Sequence, residues 1–490
     1  MKKIFFILGL PILLSSCTKM LEEKPEDRLF ATNFYKTSTD AVTAVNAIYT
    51  PFKDNNSYAF RYFILNVAME DYATGQGQFI FFGQYKALPS TAVAITDGAW
   101  AVWYQVINTA NIALKYIPSI SMDETQKKAL LGEARFLRAF SYFNLVKNWG
   151  AVPIRKQPTE SPADAVGGKR EAIADVYAAI LEDLKFAEVN LPVKPSLAGR
   201  PTIGAAKTML ADVYLNLNDW TNARIKSAEV IQSGTYSLVN VAKSEDFDQV
   251  FSADLATSSE DIFGVKFTRI AGLGTQLPAF FHNSDAAWAS RGFGTFWSLP
   301  TYPLIAQWSA SDLRKGYNLY TQYPNKNGVI IKNPSNRPIR FGKFKDSKAT
   351  DNTAHGTACP IYRYSEALLI YAEAVSQENN GPTADAVEKL NMVHRRAYGY
   401  PSNAASPVDI SMAGQTMQSF RDLVLTERAY EFMVEGGKRW RDLVRTGTAA
   451  QVIKAAKGID IQPSAYLFPI PQQEIDNNPD IDQKSQNPGY

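Results

Sequence analysis

The chain has 490 residues, 46 % of them hydrophobic and 20 % charged, a balance that excludes an intrinsically disordered chain and a multi-span membrane protein. Lys plus Arg (51) nearly offsets Asp plus Glu (48), and a net charge of +3 gives no reason to expect nucleic acid as a partner. Two cysteines exclude a disulfide framework beyond one bond, and three histidines argue against a His-rich metal centre, so neither a metal nor another cofactor is expected.

The chain opens on Lys2 and Lys3, followed by an apolar run of 11 residues from Ile4 to Leu14. Spanning about 30 Å of hydrocarbon takes about 20 helical residues, so the run reads as a secretion signal. It ends in Leu14-Ser15-Ser16-Cys17, which resembles the lipobox of bacterial lipoproteins. The expectation is a signal peptide over 1–16, a lipid on Cys17 and a tether over 17–30; the alternative is an ordinary cleavage site with an incidental cysteine. Several acyl chains on Cys17 hold a protein to a bilayer with no transmembrane helix. The tether carries Glu22, Glu23, Glu26 and Asp27 and is similar to acidic tethers on lipoproteins exported to the surface of Bacteroidetes.

Beyond the tether the dominant signal is helical. Apolar side chains at Ala206, Met209, Leu210, Val213, Tyr214 and Leu217 trace one stripe of a 3.6-residue helix. Further helices are expected at about 97–117, 123–148, 170–190, 220–233, 361–378, 383–397 and 418–446. They come in pairs. Leu210-Ala211 and Tyr214, followed by Ala223, match the offsets at which tetratricopeptide repeats place large, small and aromatic residues where two antiparallel helices meet. The expected architecture is mainly α, a tetratricopeptide-like scaffold of helical pairs over about 31–70, 97–235 and 360–460. Two irregular, loop-rich stretches, about 71–96 and 236–359, belong to the same single domain, 31–490, and long loops of this kind are often functional. Gly328-Val329-Ile330-Ile331 is a short β-like run in the second.

Motifs of catalysis are missing: the chain holds no H-E-x-x-H, C-x-x-C, G-x-S-x-G or P-loop. Gly272-Leu273-Gly274 and Gly292-Phe293-Gly294 read as turns, and His282, His355 and His394 as isolated surface or hydrogen-bonded residues. The separation that makes two carboxylates a glycosidase pair is invisible in sequence. No catalytic residue is assigned. The strongest local motif runs from Glu427 to Gly447: Glu427, Glu431 and Glu435 fall at i, i+4 and i+8, with Arg439 continuing the row. Stacked acids need cations, for which Arg428, Arg439 and Arg445 are candidates, and an ion-pair network across the Gly436-Gly437 break is expected in preference to an acid-base site.

This segment resembles the C-terminal signature of the SusD/RagB family, lipid-anchored nutrient binders of Bacteroidetes. Similar pieces follow in order: Phe34-Tyr35-Lys36-Thr37 leading into Asp40–Tyr49, Glu133-Ala134-Arg135-Phe136-Leu137-Arg138-Ala139 to Trp149-Gly150-Ala151-Val152-Pro153, and Gly199-Arg200-Pro201-Thr202. Arg363-Tyr364-Ser365-Glu366-Ala367 and the terminal Gln486-Asn487-Pro488-Gly489-Tyr490 complete the set. The resemblance implies four tetratricopeptide-like helix pairs carrying an irregular ligand-binding part. It also implies a lipid-anchored, surface-exposed location on the outer membrane. A SusC-like TonB-dependent transporter is the implied partner, receiving an oligosaccharide or other nutrient. The alternatives are a peptide or other non-sugar nutrient in the same kind of complex, or a membrane-anchored glycoside hydrolase.

The ligand surface is expected where aromatics concentrate. Eleven of the 45 residues from Ala279 to Tyr323 are aromatic, twice the rate of the whole chain, and a second group surrounds Tyr72 to Trp103. Sugar rings have an apolar face and a hydroxyl edge, so they suit aromatic platforms fringed by hydrogen-bonding groups. Tyr72, Phe79, Phe82, Tyr85, Trp288, Arg291, Phe296 and Trp297 are the candidate ligand residues, with Asn283, Asp285 and Gln84 as further polar fringe. Packing against the helices is the competing role for each ring.

Overall fold

The computed structural model describes residues 35–161, 164 and 166–490; the signal, Cys17 and the tether lie outside the described residues. The longer helices are α1 (Ser38–Ile48), α2 (Ser90–Tyr116), α3 (Glu124–Trp149), α4 (Ile173–Asn190), α5 (Ile203–Asn216) and α6 (Trp220–Gln232). After a long irregular stretch come α7 (Tyr364–Glu378), α8 (Ala384–Ala397), α9 (Met417–Glu431), α10 (Lys438–Arg445) and α11 (Ala449–Lys457).

Side-chain caps set several starts. The Thr202 hydroxyl accepts from Ala205 N (3.2 Å) at α5, Asp219 from Asn222 N (3.1 Å) at α6, and Thr383 from Ala386 N (3.2 Å) at α8. The helix expected from 97 begins seven residues earlier, because Pro89 ends the preceding loop and Ala92 and Ile95 extend the buried stripe. The stripe expected to reach Leu217 stops short: α5 ends at Asn216, and Leu217 is 39 % exposed.

Consecutive helices pack on one another, α2 on α3, α3 on α4, α4 on α5, α5 on α6, α6 on α7, and α7 on both α8 and α9. The close approach of α5 and α6 needs small residues, and Ala211 and Ala223 are fully buried with Tyr214 beside them nearly so. This is the tetratricopeptide-like scaffold of helical pairs. A second, smaller apolar cluster, with Leu368, Leu390, Phe420 and Val424, binds α7, α8 and α9 together.

Among the described residues eight short strands form four antiparallel pairs, all but β8 within the irregular parts. β1 (Thr74–Gly75) pairs with β3 (Phe296–Trp297), and β2 (Asp261–Val265) with β8 (Cys359–Arg363). β4 (Leu319–Tyr320) pairs with β7 (Arg340–Phe341), and β5 (Gln322–Pro324) forms a hairpin with β6 (Ile330–Lys332). A bridge between Ser298 and Ile339 links the β3 and β7 segments. Two stretches more than 200 residues apart in sequence thus meet at β1–β3.

Candidate functional site

Burial divides the candidate rings. Tyr72, Phe79, Phe82, Tyr85 and Phe296 are all 2 % exposed or less, so the expectation that they touch ligand is corrected: they are core. Phe79 packs among Phe60, Phe82, Phe280 and Phe296, and Phe82 against Phe468. The Tyr72 hydroxyl accepts from Val434 N (2.8 Å), and the Tyr85 hydroxyl donates to Met69 O (2.8 Å), so both polar ends are spent on the fold. Of the eleven aromatics from Ala279 to Tyr323, only Phe293 is exposed; Phe280, Trp288, Trp297 and Tyr320 are half-buried. Short strands and close turns let the loops bury more rings than their Gly and Pro content suggests. Gly292 is one such turn, where a Cβ would lie 2.1 Å from Asn283 O.

Trp288, Arg291 and Trp297 remain available at the surface. Trp297 sits opposite Thr74 on the β1–β3 ladder, with the Arg337 guanidinium 4.8 Å and the Arg340 guanidinium 5.9 Å from its ring centroid. Trp288 stands edge-on to Tyr320 (5.0 Å), with the Lys345 ammonium 4.4 Å from its ring. Arg291 is exposed and approaches Phe293, itself 41 % exposed (5.8 Å). Polar groups lie among these rings. Gln76 Nε2 donates to Phe293 O and Gly294 O (both 3.1 Å), Asn283 Nδ2 to Asn333 Oδ1 (3.2 Å), and the Tyr323 hydroxyl to Asp285 Oδ1 (2.7 Å). Burial and Asp285 push that phenol up to about 12. Phe293 and Tyr320 lie within the aromatic-rich stretch without being named as candidates, and Gln76, Asn333, Arg337 and Arg340 lie outside it; the density of Lys and Arg points to the two arginines, and nothing in the sequence singles out Gln76.

Two concavities of about 340 and 280 Å³ lie elsewhere, one beside Trp100 on α2 and the other beside Tyr49 after α1. Among the described residues no group of three His, Cys, Asp or Glu is placed to hold a metal ion. His282 is buried, which lowers its pKa to about 3, and His394 Nδ1 meets Glu427 Oε2 (2.9 Å). Cys359 is free and buried, its thiol turned to Tyr58 O (3.3 Å).

The acid row near the C-terminus is an ion-pair network, though with other cations than sequence proximity names. α9 ends at Glu431, so Glu435 reaches in from the turn before α10. Glu431 meets Arg363 (2.8 Å), Arg396 (2.6 Å) and Arg314 (3.2 Å); Glu435 meets Arg363 (2.8 Å) and Lys343 (2.7 Å); Glu427 meets Arg314 (2.7 Å). Burial alone would raise Glu431, but Arg396, Arg363 and Arg314 together hold it well below its ordinary value. Arg428 serves Glu366 and Asp442 instead, Arg439 serves Asp71, and Arg445 serves Glu373 and Asp442.

Residues 305–490 match the model of the SusD family, and residues 19–215 match a second model described as starch-binding and associating with the outer membrane. The chain belongs to the SusD family. It is 27 % identical to SusD-like protein P2 of Formosa agariphila, over 100 % of this chain and 99 % of that protein. Its fold matches a SusD homolog from Bacteroides thetaiotaomicron (TM-score 0.82, 22 % identity, 94 % of this chain and 98 % of the other). It also matches a laminarin-binding SusD-like protein (TM-score 0.73, 24 % identity, 93 % and 100 %). In this SusD-family chain the signature segment from Glu427 to Gly447 lies in the buried network, so it specifies scaffold and carries no information about ligand.

Proposed function

We propose that this chain is a non-catalytic binding protein that captures an oligosaccharide on the Trp297 face. Lipid on Cys17 anchors it to the outer-membrane surface, where it delivers the glycan to a SusC-like TonB-dependent transporter. The observation that carries the reading is the β1–β3 pairing together with the Ser298–Ile339 bridge, which set Trp297 opposite Thr74 and beneath the Arg337 guanidinium. A flat ring with hydrogen-bonding neighbours matches the two faces of a sugar. The laminarin-binding neighbour and the starch-binding family description support a carbohydrate ligand.

A glycosidase needs two carboxylates about 5 to 9.5 Å apart with one able to donate a proton. From Gln276 to Lys345 the only acids are Asp285, bonded to Tyr323, and Asp312, buried against Arg314 (2.7 Å), which argues for binding without hydrolysis. Affinity electrophoresis of the full-length chain against a panel of polysaccharides tests this: retarded migration with an intact polymer is the expected result. Release of reducing ends would demand the hydrolase reading, and peptide binding without any glycan shift would replace the ligand class.

A further inference from the structure

We propose that the Trp297 face is built for an anionic glycan, one bearing carboxylate or sulfate groups. This rests on the glycan-binding reading above and narrows its substrate class. Between Gln276 and Lys345 the chain carries nine Lys and Arg against two Asp and no Glu, although the whole chain is nearly balanced at +3. Three of the nine cations are occupied within the fold. Arg314 meets Asp312, Glu427 and Glu431, Lys343 meets Glu435, and Lys315 caps the carbonyls of Ile305 and Trp308.

The other six, Arg291, Lys326, Lys332, Arg337, Arg340 and Lys345, have no carboxylate within ion-pair distance among the described residues. Several scaffold cations are matched, Arg138 to Asp183, Arg395 to Glu388 and Asp409, and Arg445 to Glu373, while Arg441 and Lys457 are held by carbonyl, amide or hydroxyl groups alone, so what sets this face apart is the number of unmatched cations gathered there. Five of the unmatched six touch rings or backbone of this face, and the sixth ends an adjoining strand. Arg337 and Arg340 flank Trp297, Lys345 covers Trp288, Arg291 lies against Phe293, and Lys326 donates to Ser290 O, next to Arg291. Lys332 ends β6, beside Asn333, whose Nδ2 donates to Tyr320 O (2.9 Å).

Arg340 makes the point most sharply. It is 3 % exposed, and its Nη1 donates only to the carbonyls of Gly294 and Phe296, while its Nε has no partner. Burying a guanidinium without a counter-charge is costly unless something meets the charge. Neutral sugar hydroxyls do not require it, whereas a uronate or sulfate placed over Trp297 would be held by charge-assisted, fork-shaped hydrogen bonds. A cluster of one sign also draws a polyanion from solution, an effect that salt screens.

The test is affinity electrophoresis of the full-length chain in gels containing polygalacturonate, dextran sulfate, or neutral starch and laminarin. The expected result is retardation by an anionic polymer that fades as salt rises, with neutral polymers at least about tenfold weaker. The double variant Arg291→Gln/Arg337→Gln, at surface positions, should weaken retention about tenfold or more with an unchanged melting temperature. Lys128→Gln, exposed on α3, should leave it unchanged. Equal or stronger retardation by neutral polymers overturns the anionic class and leaves glycan binding standing, and so does undiminished retention of the double variant. Capture by phosphatidylglycerol vesicles with no polysaccharide retardation overturns both readings.

Discussion

Trp297 and Phe296 are neighbours on β3, and strand alternation turns their rings to opposite faces: Phe296 into the core beside Phe79 and Phe281, Trp297 outward beneath Arg337. Trp297→Ala should therefore weaken glycan binding by about 1 to 3 kcal/mol while barely moving the melting temperature, the behaviour of a binding hot spot. Phe296→Ala should do the reverse, costing about 3 to 5 kcal/mol of stability in a denaturant titration. Glu70 supplies a pH dependence. Burial raises its pKa from 4.5 to about 8, against the pull of the Tyr72 hydroxyl and Arg439, with Asp71 adding to the rise. Nearby Lys457 is lowered by burial to about 8, held by Ala73 O (2.7 Å) and the Tyr85 hydroxyl (2.9 Å). An acid raised on folding contributes stability that is full below its unfolded pKa and lost as pH climbs through the folded one. Glu70→Gln, which mimics the protonated form, should thus melt higher than the natural chain above about pH 8, and the gap should close toward pH 4.5. A constant gap across that range would remove Glu70 as its source.

Helix periodicity places Glu427 and Glu431 on one face of α9, and that much is legible in the sequence. Their partners are not. Arg314 precedes α9 by about a hundred residues, Arg363 ends β8, and Arg396 lies on α8, so the pairs exist only once these elements pack. The turn from Phe432 to Gly437 makes that possible: Gly437 has φ +76°, and a Cβ there would stand 2.1 Å from the Asn66 Cβ. Because the network is fully buried, removing one member strands the others. Glu431→Gln should destabilise the chain by about 3 to 5 kcal/mol in a urea titration, with little rescue by salt, since screening ions do not reach the interior. A loss below 1 kcal/mol would mean that Arg363 and Arg396 are satisfied by Glu260 and Glu435 alone.

At the scale of the whole molecule, an irregular, cation-rich face rides on a stack of helical pairs, and the proposed anchor precedes the first described helix. Fractionation provides the check on that anchor. Cys17→Ala should shift the protein from the outer-membrane fraction to a soluble one and abolish co-purification with a large β-barrel, while polysaccharide retardation of the purified protein persists. Unchanged membrane association would require another attachment.

The linear chain determined most of the helices, their pairing and the family, because those depend on the spacing of apolar and small residues within tens of positions; α1 and α11 fall outside the expected helices, and the helix expected over 418–446 is divided into α9 and α10. It also marked the two loop regions as the unusual part. Which rings meet solvent was decided by tertiary structure: β1 and β3 join stretches more than 200 residues apart, and that pairing buried Phe79 and Phe296 while leaving Trp297 in reach. The same holds for charge. Composition counts Lys and Arg alike, but only folding separates cations that meet a carboxylate from those that do not, because ion pairing depends on distances that loops and strand register set.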